Sequence, residues 1–147
     1  FAMIQNNIIN SVCLDLFSGS GNLGIEAISQ GAKKSYLVDL NKKAIKVIKS
    51  NLNKLGISNK CVVLCGDFKK VLKEIDIKFD IIFLDPPYKT NYIEEAIKLI
   101  DNNNLLNSDG LIICESDSLE RIVYSSKYTV FKSKKYGDKY VVILKKI

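Results

Sequence analysis

The 147-residue chain contains no histidine and only one arginine, Arg121. Without histidine there is no Ser-His or Cys-His nucleophile system, so proton chemistry falls to carboxylates, tyrosines, lysines or solvent. The four cysteines, Cys13, Cys61, Cys65 and Cys114, include no Cys-x-x-Cys pair and have no histidine to complete a metal site. They are expected to be reduced, buried thiols, and no metal is expected. No apolar run approaches the ~20 residues that a membrane-spanning helix needs, and no charged-then-apolar secretory signal opens the chain. A soluble, cytoplasmic protein with no membrane partner is expected. Repeats, low-complexity tracts and linkers are lacking too, and the length suits one domain over 1–147. The chain begins at Phe1 rather than at an initiator methionine, so it reads as the body of a longer protein.

An apolar content of 47% is enough for a core, and the net charge of +6 comes from 22 basic residues, all but one of them lysine, against 16 acids. Residues 127–147 carry seven lysines and one acid, Asp138. Such a strip suits a polyanion, although a lysine-rich surface also serves solubility. No obligate protein partner is evident, and a monomer is expected.

Apolar runs at 11–16, 35–40, 61–65, 79–84 and 111–114 read as strands. Helical spacing at 25–30, 42–55, 69–75 and 91–100 reads as helices between them. Asn41 is placed to cap the long helix and Gly56 to end it, with Lys42, Lys43, Lys46, Lys49 and Lys54 on its solvated face. Residues 101–104 and 107–110 are turn-rich, and 124–131 with 140–144 suggest a closing hairpin around Tyr136-Gly137-Asp138. The expected fold is α/β: a doubly wound, mostly parallel sheet with a C-terminal antiparallel hairpin strand.

The chemistry concentrates at the carboxyl ends of the strands, where ligands bind in open α/β sheets. Gly19-x-Gly21-x-x-Gly24 follows the first strand, and Asp39 stands twenty residues past Gly19, where an acid can hold ribose hydroxyls. Asp15 at the loop entrance disfavours a pyrophosphate and favours a ligand bearing an ammonium and a sulfonium. S-adenosylmethionine has both, with a ribose for Asp39 and an adenine for Asp67 and Phe68. Asp15, Asp39, Asp67 and Asp85 end or follow four successive strands, a series hard to explain as helix caps alone.

The fourth strand runs into Asp85-Pro86-Pro87-Tyr88. Neither proline can extend the ladder, and each disfavours helix before it, so the chain leaves the sheet as a stiff, extended loop. The Asp85 carboxylate and the Pro86 carbonyl together suit the two hydrogens of an exocyclic nucleobase amine, aiming its lone pair at an activated methyl. Tyr88 can stack on a base turned out of its helix.

The stretches 15–27, 38–41, 66–68, 85–88 and 136–137 resemble the bacterial 16S rRNA guanine-N2 methyltransferases over nearly the whole chain. The resemblance implies a Rossmann-like class I methyltransferase that uses S-adenosylmethionine, releases S-adenosylhomocysteine and acts on 16S rRNA or the small ribosomal subunit. It implies cofactor binding by Asp15, Phe17, Ser18, Gly19, Gly21, Asp39, Leu40, Asp67 and Phe68, and catalysis by Asp85, Pro86, Pro87 and Tyr88. It also implies a short basic segment upstream of Phe1 that helps hold RNA. N6-adenine methyltransferases of DNA share the Asp-Pro-Pro-Tyr tetrapeptide, so adenine N6 stands as the alternative target. A nicotinamide-dependent oxidoreductase and a non-catalytic RNA-binding module are the readings from other classes.

Overall fold

The computed structural model describes residues 1–147. A 3₁₀ turn, Ala2–Ile4, leads into α1 (Gln5–Ile8), β1 (Val12–Asp15), α2 (Asn22–Ser29), β2 (Lys34–Asp39) and α3 (Lys42–Leu55). Then come β3 (Cys61–Cys65), α4 (Phe68–Glu74), β4 (Phe79–Leu84), α5 (Tyr92–Asn102), β5 (Leu106–Ser116), β6 (Tyr128–Tyr136) and β7 (Lys139–Lys146). The strands form one seven-stranded sheet in the order β3-β2-β1-β4-β5-β7-β6. β1 to β5 pair in parallel, and β7 runs antiparallel to both β5 and β6. This is the expected doubly wound sheet with its antiparallel hairpin. The winding reverses between β1 and β4, which opens a crevice at their carboxyl ends.

Alternation along the strands sends side chains into two layers. Leu14, Ile82, Leu84, Ile112 and Leu144 meet α4 and α5, while Cys13, Ile81, Phe83, Leu111 and Ile143 meet α1 and α2. Leu37 packs with Ile45, Ile48 and Leu52 of α3. Covered on both faces, β4 must be apolar at every position from Ile81 to Leu84, and all four are buried. Truncating a residue such as Ile82 there costs about 2–5 kcal/mol. α3 begins and ends as its sequence dictates: Asn41 accepts a hydrogen bond from the Lys43 backbone N–H at 2.8 Å, and Gly56 turns left-handed at φ +69°. Its five lysines are exposed. No helix is long and apolar enough to cross a membrane.

Three expectations shift. β5 starts at Leu106 and absorbs 107–110 as an irregularity in its pairing with β4, with Asp109 left-handed and the Asn107 side-chain amide donating to Asp80 at 2.9 Å. β6 covers Tyr128–Tyr136 rather than 124–131. Every residue from 129 to 136 is exposed, so no burial alternation marks the strand in sequence. Pairing to β7 through the Gly137-Asp138 loop creates it, with Gly137 at φ +56° in the first loop position, where a II′ hairpin takes glycine. Finally, all four thiols are free, but only Cys13 and Cys114 are buried; Cys65 is exposed.

Candidate active site at the carboxyl edge of the sheet

The loop after β1 is held by hydrogen bonds to its own neighbours. Asp15, the last residue of β1, is 1% exposed, and its Oδ2 accepts from the Gly24 backbone N–H at 3.0 Å. The Ser18 hydroxyl donates to the Asp15 carbonyl at 2.8 Å and accepts from the Val38 N–H at 3.1 Å, tying the loop to β2. Gly21 heads α2 at φ +88°, a left-handed position that suits glycine. A Cβ on Gly24 would come within 2.6 Å of Leu37, so a glycine there lets α2 lie close against β2. Burial pushes the Asp15 carboxyl up to about 6, against the opposing pull of the Gly24 N–H. Its Oδ1 is buried with no partner.

Asp39 and Asp67 close the next two strand ends. Asp39 accepts from the Gly19 N–H and from the Asn41 N–H, each at 2.8 Å. Asp67 caps α4, accepting from the Lys69 N–H at 2.8 Å. Backbone satisfaction therefore accounts for part of the aspartate series, and Asp67 does serve as a helix cap.

These ends surround a cavity of about 480 Å³. Of the residues singled out in sequence, Phe17, Gly19, Asp39, Leu40, Asp67, Phe68, Asp85, Pro86 and Pro87 line it. Asp15, Ser18 and Gly21 stand outside that wall and shape the loop that forms it. Tyr88 also lies outside; its ring is half exposed and carries the Lys139 ammonium 5.6 Å from its centroid.

Besides Leu16 and Gly66, which also line the cavity, four residues were missed. Tyr92 lines the cavity, stacks parallel on Phe17 at 6.0 Å and lies 5.0 Å from Phe68. It opens α5 one position ahead of the helical apolar pattern, which began at Ile93. Lys69 lines the same cavity. Glu115 and Lys139 come from β5 and β7. The only clue to Glu115 is the register Leu84↔Cys114, which sets the next residue, Glu115, beside Asp85. Lys139 pairs with Glu115 at 3.9 Å.

Asp85 directly follows β4 in a part-buried position. Burial, followed by the neighbouring Glu115 carboxylate, pushes its carboxyl up to about 7 against the attraction of Lys139. Tyr88 and Glu115 hold the Lys139 ammonium above its ordinary range. The Thr90 hydroxyl donates to the Pro87 carbonyl at 2.9 Å, and Arg121 donates to the Thr90 carbonyl at 3.4 Å. The single arginine thus braces this loop. The Pro86 carbonyl accepts no hydrogen bond within the chain.

This donor set fits S-adenosylmethionine. Aromatic faces at Phe17, Phe68 and Tyr92 suit an adenine, while Asp39, Asp67 and Asp85 on the wall favour a cationic ligand and oppose a pyrophosphate. No group of three or more His, Cys, Asp or Glu side chains is arranged to hold a metal.

Residues 1–145 match the family model described as "Conserved hypothetical protein 95". The chain is 40% identical over 141 residues to "Ribosomal RNA small subunit methyltransferase D" of Buchnera aphidicola subsp. Baizongia pistaciae, spanning 95% of this chain and 71% of that one. The Haemophilus influenzae protein of the same name is 36% identical, over 93% of this chain and 72% of its own length. A crystal structure of a "putative methylase" from Haemophilus influenzae superposes with a TM-score of 0.88 at 33% identity, covering 100% of this chain and 93% of that one.

Proposed function

The chain belongs to the conserved hypothetical protein 95 family of class I methyltransferases, whose curated relatives are named ribosomal RNA small subunit methyltransferase D, and on that premise we propose that it methylates the N2 amine of a guanine in 16S rRNA. The substrate is naked rRNA or the small ribosomal subunit. Residues 1–147 act as one methyltransferase domain, as a cytoplasmic monomer. S-adenosylmethionine supplies a methyl whose carbon–sulfur bond breaks as a carbon–nitrogen bond forms at N2, leaving S-adenosylhomocysteine.

The observation that carries this reading is that Asp85 and Pro86, whose carbonyl accepts no hydrogen bond within the chain, both line the cavity. The lone pair of an exocyclic amine is delocalised into the ring. Two acceptors that take its two hydrogens pyramidalise the nitrogen and point the lone pair at the methyl, so most of the rate comes from positioning and electrostatics. Once methylated, the nitrogen is acidic, and Asp85 or water takes its proton. Pro87 stiffens the loop through Thr90, and Tyr88 stacks on the base. On the donor side Asp39 serves the ribose, Phe68 and Asp67 the adenine, and Phe17, Gly19 and Leu40 the remaining wall. Asp15, Ser18 and Gly21 set the loop around the methionine end. The exposed lysines of β6, Lys132, Lys134 and Lys135, suit the phosphates of the RNA.

Asp85→Ala tests the assignment. Methyl transfer is expected to fall by about 10³-fold or more, the scale on which removing a preorganised transition-state contact acts. The dissociation constant for S-adenosylmethionine should stay within about threefold, because the other cofactor contacts are left in place. A loss of only a few-fold in turnover would remove Asp85 from the chemistry.

A further inference from the structure

Asp85 lines two cavities. One is the cofactor cavity; the other, of about 230 Å³, has apolar walls that include Phe1, Leu23, Phe83 and Ile143, and its two charged lining residues are Asp85 and Glu115. The two carboxylates sit side by side because β4 and β5 are parallel neighbours in register. The Glu115 side chain is 26% exposed, and the Lys139 ammonium lies 3.9 Å from its carboxylate. Lys139 also spans to Tyr88, so the hairpin ties the second carboxylate to the tetrapeptide loop.

Two adjacent acceptors match one purine edge and mismatch the other. In guanine the N2 amine is followed by N1–H, giving two donors in a row. In adenine the N6 amine is followed by the N1 lone pair, which a carboxylate repels. A site built to pair a substrate N–H rejects an analogue lacking it far more strongly than an apolar pocket does, because its own polar group is left unpaired.

We propose that the target base is read where the two cavities meet at Asp85, with Glu115 of the second cavity accepting the guanine N1–H while Asp85 accepts an N2–H, making Glu115 the residue that admits guanine and rejects adenine. This rests on the reading of 85–88 as the amine site. The crowding of the two carboxylates supports it: burial and the neighbouring Glu115 carboxylate raise the Asp85 carboxyl, and two adjacent N–H donors on guanine relieve that repulsion.

The test uses an rRNA fragment with guanosine at the position the wild-type chain methylates, and the same fragment with 2-aminopurine riboside there. That base keeps the exocyclic amine but has a lone pair in place of N1–H. The full chain, Glu115→Ala and Glu115→Gln are compared by kcat/KM on both fragments, with S-adenosylmethionine affinity as the readout of an intact fold. The missing O6 of 2-aminopurine weighs on every enzyme alike and cancels when preferences are compared. The wild type should prefer guanosine, and in Glu115→Ala that preference should shrink by about tenfold or more. The shrinkage should come from loss on guanosine, with cofactor affinity within about twofold. Glu115→Gln, which keeps an acceptor oxygen, should fall between. An undiminished preference in both variants, with N2-methylguanosine still the product, overturns the role of Glu115 and leaves the methylation reading standing. Methyl on adenine N6 in the wild-type product overturns both.

Discussion

The loops after β1 and β4 both begin with an aspartate at the end of a buried strand, yet the fold treats the two acids differently. Asp15 is locked: one oxygen holds the Gly24 N–H, and Ser18 ties the same loop to β2. Asp85 is left with a second carboxylate, a lysine from the hairpin and an unclaimed proline carbonyl around it. The backbone around Asp15 is therefore fixed by hydrogen bonds within the chain, although its second oxygen is unpartnered, whereas the surroundings of Asp85 are set by charged side chains from three elements. On the proposed function, the first half should govern how tightly the cofactor is bound and the second what is methylated.

That division predicts which measurement each substitution moves. The largest effect expected on the cofactor side belongs to Asp39→Ala, which frees the Gly19 and Asn41 N–H groups and removes the carboxylate proposed to hold the ribose. Affinity for S-adenosylmethionine by calorimetry should weaken about 10²-fold, at roughly 1–3 kcal/mol for each lost charge-assisted bond. The rate from bound substrate should change much less. An equal loss in both would erase the distinction.

A smaller effect sharpens the acceptor side. Asp85 is faced by Glu115 from β5, Lys139 from β7 and Asp15 from β1, and Lys139 is in turn faced by Tyr88. Its carboxyl titrates at about 7, so it is mostly protonated at pH 6 and mostly ionised at pH 8. The value of kcat/KM should rise about tenfold across that interval, following the ionised fraction. Stability should move the other way. Asp15 and Asp85 both keep protons in the folded chain above the pH at which the unfolded chain has lost them. The melting temperature of the ligand-free chain should therefore fall as pH rises from about 4 to about 7. A flat profile would mean that neither carboxyl is perturbed.

The smallest effect lies furthest from the chemistry. Replacing Lys134 or Lys135 on the exposed β6 strand by alanine should weaken rRNA binding a few-fold. Each replacement should also reduce the salt slope by about one, with cofactor affinity unchanged. An unchanged slope would remove the hairpin from the RNA contact.

Where local pattern and burial coincide, the sequence is a sufficient guide. Asn41 and Gly56 bound α3, the apolar run before Asp85 makes a central strand, and Gly19, Asp39, Phe68 and Pro86 reach one cavity. Where long-range pairing decides, it is not. β6 has no buried face apart from Tyr128, so nothing in its own residues announces a strand; β7 imposes it. Glu115 is one acid at the end of an apolar run, and only the alignment of β5 with β4 brings it to Asp85. Ser18 and Gly21 carry the motif's chemistry in sequence but are used in structure to hold a loop, a distinction that only hydrogen-bond partners reveal. Arg121, a scarce residue in a basic chain, is used to brace the tetrapeptide loop.

The most direct test of the account gives the full chain methyl-labelled S-adenosylmethionine with unmethylated small ribosomal subunits, naked 16S rRNA or duplex DNA, and identifies the labelled nucleoside. The account predicts N2-methylguanosine from subunits or rRNA and no label in DNA. Label in N6-methyladenine from any of the three would contradict it, keeping the cofactor side of the site while overturning the acceptor side.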